Sequence, residues 1–213
     1  MRPCGAERQN RYTVSPPLQH ALCVNRMNMT LFEYLAAGHT LILTFALTRV
    51  LSGVAVSVEV SRRSWLHLSW LGFVVANSLF TFWAMWGYIE VEWTLIRFMG
   101  LLSVPIFVYI FSSIIVPQNL SEIDSCRNYF FEKRISIFVT GALWFIAIVL
   151  SNQLIQGTSP LHWLQITLYV TIGVFIIGAS TANERIHAIL ALWSPIFFVL
   201  LSVQLYQPGE LFR

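Results

Sequence analysis

Four histidines pose the clearest chemical question in this sequence. His39 and His162 fall toward one end of their apolar runs, and His67 and His187 toward the other. Imidazoles facing each other from different helices can serve as axial ligands of two b-type haems. The pattern is thin. Three of the four stand at run ends, where histidine is common, and none recurs on one helix at haem-stacking spacing. The cysteines Cys4, Cys23 and Cys126 are odd in number and form no CxxC or CxxH pair, which disfavours a disulfide framework or a zinc site. The sequence contains no HExxH, GxSxG or GxxxxGKS/T. No Cys–His couple or pair of intramembrane carboxylates suggests a protease or a proton relay. These residues therefore predict no catalytic centre, no metal and no resident cofactor. A haem-bearing electron carrier ranks last among the functions weighed below.

The polar residues set inside apolar runs are more informative. Ala36, Thr40, Thr44, Thr48 and Ser52 recur every four residues, so they share one helix face. Such a face either lets membrane helices pack closely or lines a polar pathway. Arg49 lies on the same run, where a charge is expensive and marks a functional candidate unless its long side chain snorkels to the headgroups. Asn77 sits near the middle of its run, beyond the reach of snorkelling, and calls for a hydrogen bond to a neighbouring helix or to a solute. Glu90, Glu92 and Arg97 cluster at a run boundary and read as a solvated surface set.

The elements that must position these residues follow from composition. Hydrophobic residues make up 56% of the 213 and charged residues only 11%, where a soluble domain carries about a quarter charged. Too little charge is present to wet a soluble surface of this size, whereas lipid solvates apolar side chains directly. Aromatics at 15%, with 8 Trp, agree, because Trp and Tyr collect at bilayer interfaces. The net charge of +3 is scattered and leaves no footprint for nucleic acid.

Spans of about 20 residues fit six runs: Tyr34–Val56, Trp65–Tyr88, Thr94–Val116 with Pro105 inside, Ile135–Ile155, Leu161–Ser180, and Ile186–Tyr206 with Pro195 inside. The spans are helices, since lipid offers open strands no partner. The expected fold is an all-α polytopic bundle of about six helices over residues 30–213. Residues 1–29 read as a disordered tail or as an extension preceding a start at Met27 or Met29. Trp65 and Trp70 are expected as interface anchors at one end of the second helix, and Trp83, Trp86, Tyr88 and Trp93 at the other.

Loop charge sets orientation. The first, third and fifth connections carry Arg62, Arg63, Arg127, Lys133, Arg134 and Arg185, so they are expected on the cytoplasmic side with both termini outside. Between Pro117 and Arg134 a charged loop is expected. The segments LTRVLSG (Leu47–Gly53), WLHLSW (Trp65–Trp70), FWAMW (Phe82–Trp86), WTLIRF (Trp93–Phe98) and YFFEKR (Tyr129–Arg134) together resemble a group of short bacterial multi-pass membrane proteins. The resemblance covers most of residues 30–134, implies a bacterial inner membrane, and implies no activity.

Two segments also resemble each other. PIFVYIFSSIIVPQNL from Pro105 and PIFFVLLSVQLYQPGEL from Pro195 share Pro-Ile-Phe, a Ser seven positions after that Pro, and a closing Pro. Leu66-His67 and Leu161-His162 open the second and fifth helices. A three-plus-three inverted repeat would make Pro105 and Pro195 equivalent kinks beside a midplane site. The candidate polar pathway or packing residues are thus Thr40, Thr44, Thr48, Arg49, Asn77, Pro105 and Pro195. Transport of a small solute or ion is slightly preferred over a non-catalytic module that packs on a membrane-protein partner or on a second copy. Beyond those, the lipid bilayer is the expected partner.

Overall fold

The computed structural model of the chain describes residues 30–57, 64–117 and 125–206. The tail of residues 1–29, the pair Arg62-Arg63, Glu122, Asp124 and Pro208 lie outside the described residues.

Helix α1 spans Leu31–Ser57 and α2 spans Trp65–Ala84, extended by a 3-10 turn over Met85–Tyr88. α3 spans Leu95–Ile115, α4 Cys126–Gln156, α5 Trp163–Ser180, α6 Glu184–Ala191 and α7 Trp193–Tyr206. No strand occurs among the described residues. Among the described residues, six stretches are long and apolar enough to cross a bilayer, α6 and α7 jointly making the sixth. The outer surface is built of Leu41, Phe45, Leu79, Ile96, Ile176 and Val199, each about half exposed or more. Water would not tolerate such a belt, and lipid does. The protein is a multi-pass membrane helix bundle.

Successive spans run in opposite directions and close a ring in the order α1, α3, α4, α5, α7, α2, with α2 packed again on α1. One face of the membrane receives the start of α1 and the α2–α3 and α4–α5 connections, and is called the terminal face below. The opposite face carries Arg127, Lys133, Arg134 and Arg185.

Aromatic side chains fill the middle of the ring. Trp70 and Phe73 from α2 meet Phe138 and Phe145 from α4, Phe175 from α5 and Phe197 from α7, with ring centroids 5.1–6.1 Å apart. Edge-on and offset pairs of this kind are worth about 0.5–1.5 kcal/mol each beyond the area they bury. Between α4 and α5 two glycines receive these rings. Phe175 sits over Gly141 and Phe138 over Gly178, so close that a Cβ on either glycine would overlap the ring. Small residues at facing positions let membrane helices approach in this way.

Several expectations are corrected. Trp70 is not an interface anchor: five residues into α2, it is buried in the aromatic core, whereas Trp65, Trp83 and Trp86 are exposed at the two ends. The segment from Cys126 to Arg134 is helix, not loop. Ser125 caps it by accepting from the Asn128 N–H, and Phe130 inserts into the core. The resulting 31-residue helix is about 46 Å long, against a hydrocarbon core of about 30 Å. Its charged first turns therefore project beyond the bilayer.

The sixth span is broken at Leu192. Pro195 causes the break, because its ring would clash with the carbonyl four residues back, at Ala191, and it has no N–H to donate there. Pro195 thus stands in the first turn of α7 and is exposed, while Pro105 stands mid-way along a continuous α3 and is buried. The packing differs as well. α1 lies along α3, but α4 makes no comparable contact with α6 or α7 among the described residues. The inverted repeat is not reproduced. The shared Pro-Ile-Phe occupies two different structural positions.

Candidate functional site

A cavity of about 130 Å³ reaches from Asn77, near the middle of α2, to Gly87 and Gln156 at the terminal face. Its walls come from five further segments. α1 contributes His39, α3 Leu101 and Val104, α4 the face Ile148, Ser151 and Asn152, α5 Leu164 and Leu168, and α7 Phe197 and Leu201.

Local sequence explains how these walls are held. Gly87 lies in the 3-10 turn that ends α2, which buries Met85 and Tyr88 while Trp83 and Trp86 remain outside. α4 ends at Gly157, whose φ of 62° lies in the left-handed region that favours glycine. Its N–H returns to the Gln153 carbonyl, and the Thr158 N–H to that of Asn152. That closure fixes the last turn of α4, where Asn152 and Gln156 face the cavity.

The polar groups of the cavity are neutral. Asn77 Nδ2 donates to the Phe73 carbonyl at 2.9 Å, and Thr81 Oγ1 to the Asn77 carbonyl at 2.8 Å. Ser151 Oγ donates across to the Gly100 carbonyl of α3 at 2.7 Å. Tyr88 Oη reaches Asn152 Oδ1 at 3.5 Å. His39 is only 1% exposed, and its Nδ1 has no hydrogen-bond partner. Among the described residues, no Asp, Glu, Lys or Arg lines the cavity. An unpaired polar atom held out of water costs about 1–3 kcal/mol. That cost is carried at the His39 nitrogen.

The residues singled out in the sequence are not all brought together. Asn77 lines the cavity. The hydroxyl stripe points away from it: Thr44 and Thr48 are exposed on the outer surface of α1, Thr40 is half-buried, and Thr44, Thr48 and Ser52 each donate to the carbonyl four residues back. The inward face of α1 is instead Leu35, His39, Leu43, Ala46 and Val50. Arg49 spends its Nη2 on the Val116 and Pro117 carbonyls, at 3.3 and 3.1 Å, where α3 ends. Orphan carbonyls at a helix C-terminus attract a cation. Arg97 makes the same kind of contact to the Leu154 carbonyl in the last turn of α4.

The four histidines are dispersed in role. His162 caps α5 by accepting from the Leu164 N–H. His67 is fully buried with both ring nitrogens engaged, Nδ1 with Ser57 Oγ at 3.1 Å and Nε2 with the Ile115 carbonyl at 2.9 Å. Ser57 also lies 3.7 Å from the buried Cys126 Sγ. His187 Nε2 donates to the Thr181 carbonyl, and Phe130 stands between the two rings. Neither imidazole of this pair presents a nitrogen to the other. Among the described residues, no three of His, Cys, Asp or Glu converge as a metal site.

Sequence reasoning missed Tyr88, Ser151 and Asn152 as cavity residues, and weighed His39 only with the other histidines toward run ends. A signal was present: Ile148, Ser151, Asn152 and Ile155 recur at helical spacing, putting two polar residues on a buried face. Also missed was the bidentate pair of Arg127 with Glu184, at 2.9 and 2.6 Å, which ties α4 to α6 across 57 residues of sequence.

Comparison with protein-family models, with curated proteins and with solved structures gives no match for this chain.

Proposed function

We propose that this protein is a non-enzymatic carrier of the bacterial inner membrane that loads a small solute into the cavity at Asn77 and His39. The observation that carries the reading is a cavity, lined in part by Asn77, Ser151 and Asn152, that reaches from mid-membrane to the terminal face with His39 in its wall. Carriers place their sites near the midplane and seal one side at a time. Here the aromatic core of Trp70, Phe73, Phe138 and Phe175 closes the way to the opposite face. The basic residues Arg127, Lys133, Arg134 and Arg185 favour a cytoplasmic opposite face and a periplasmic terminal face. On this reading residues 30–213 form the six-helix domain and residues 1–29 an appended tail.

A second reading is favoured by a different observation. The stripe of Thr44, Thr48 and Ser52 lies outward, with its hydroxyls satisfied within α1, so another membrane helix could approach closely there. That geometry suits a module packing on a partner or on a second copy.

Cysteine accessibility separates the two. In a background with Cys4, Cys23 and Cys126 changed to Ser, Thr81→Cys is expected to react with an impermeant maleimide from the terminal face. Ser112 is fully buried on α3 beyond the aromatic core, and a carrier would expose Ser112→Cys intermittently to the opposite face. Inert Ser112→Cys together with efficient cross-linking between Thr44→Cys copies would replace transport by the packing module.

A further inference from the structure

We infer that the cavity is shaped for an uncharged hydrogen-bond donor of about the size of phenol. This deepens the loading-site reading above and rests on it only in taking the cavity as a binding site.

Hydrogen-bond accounting gives the polarity. The protons of Thr81 and Ser151 are already directed to the main-chain carbonyls of Asn77 and Gly100. Each of these hydroxyls can therefore offer a ligand only its lone pairs. Asn77 has committed one of its two amide hydrogens to Phe73, leaving its side-chain Oδ1 and one N–H available. Lone pairs on Thr81, Ser151 and the Asn77 side chain thus outnumber the one uncommitted N–H of Asn77 in the inner part of the cavity, and a ligand carrying an O–H or N–H matches them. Toward the mouth, Asn152 and Gln156 retain amide N–H groups.

Charge and size narrow the class. No ionised side chain among the described residues lines the cavity, so a charged ligand would lose its water without gaining a counter-ion there. The remaining wall is apolar and partly aromatic, with Phe80, Leu101, Leu168 and Phe197. A volume of about 130 Å³ is close to the engineered apolar cavity of about 150 Å³ that holds benzene. A single ring bearing one hydroxyl fits both the space and the acceptors.

The test uses the full chain in detergent, with binding read by titration calorimetry against phenol, anisole, toluene, benzoate and benzylammonium. Phenol is expected to bind one to one, with anisole and toluene about tenfold weaker, the loss of one hydrogen bond. The two ions are expected to be weaker still. Thr81→Val, close in shape, should keep the thermal melt while reducing the preference for phenol over anisole, and Asn77→Leu should abolish that preference. Equal binding of phenol and toluene, tighter binding of benzylammonium, or no binding of phenol would overturn the inference. If phenol binds as expected while Ser112→Cys stays inert, transport fails and the ligand class stands. If Ser112→Cys is exposed and phenol does not bind, the ligand class fails and transport stands.

Discussion

At the scale of single residues, intramembrane polar groups divide by whether the protein itself satisfies them. Arg49 and Arg97 are satisfied: each reaches a carbonyl at the C-terminal end of a neighbouring helix, Arg49 on α3 and Arg97 on α4. Their charge falls where the helix dipole is negative, so they read as braces between helices. His67 is satisfied on both ring nitrogens and joins α1, α2 and α3 near the opposite face. His39 is the contrasting case, buried with Nδ1 unpaired in the cavity wall. Replacing it by an apolar residue removes a desolvation cost of about 1–3 kcal/mol. His39→Leu is accordingly expected to raise the thermal midpoint in detergent while weakening phenol binding, the trade-off typical of a binding residue. A lowered midpoint would mean that His39 serves the fold and not a ligand.

At the scale of elements, α4 and α5 are closely joined through Phe175 over Gly141 and Phe138 over Gly178. Neither ring has room to retreat, since Phe138 and Phe175 also pack on each other and on Trp70. Gly141→Leu and Gly178→Leu are expected to destabilise the bundle by at least the 1–3 kcal/mol or so typical of overpacking, seen as loss of monodisperse protein on size-exclusion chromatography. Gly38→Ala is the control. Nothing lies within 4 Å of a Cβ there, so it should leave the elution profile unchanged. Elements also account for where the sequence pattern misled. Pro195 and Pro105 share a tripeptide, yet one starts a helix and the other is absorbed within one. Proline's effect depends on whether neighbouring packing holds the helix together across it, which a tripeptide does not encode.

At the scale of the whole molecule, six crossings put the start of α1 and the end of α7 on one side, and the basic start of α4 on the other. A reporter fused after Arg213 is expected to report the periplasm, and one inserted between residues 118 and 124 the cytoplasm. A cytoplasmic reading after Arg213 would overturn the orientation proposed from Arg127, Lys133, Arg134 and Arg185. The cavity and the aromatic seal would then exchange sides, and the solute would load from the cytoplasm.

Composition and run length alone specified the membrane class, the helical fold and the number of crossings. Those follow from the cost of leaving a backbone amide unpaired in lipid, which applies wherever an apolar run reaches the bilayer thickness. Asn77 was also legible as a candidate, because a mid-span carboxamide must find a partner whatever the surrounding fold. Which face of each helix turned inward was not legible. In lipid, no hydrophobic gradient separates inside from outside, so Leu43 and Leu41 are equally apolar although one is buried and the other exposed. Helix facing is decided by how large and small side chains interlock, as Phe175 does with Gly141 and Val116 with Gly53. Only that tertiary packing turned the threonine stripe outward, drew His39, Ser151 and Asn152 around one cavity, and left a buried nitrogen without a partner.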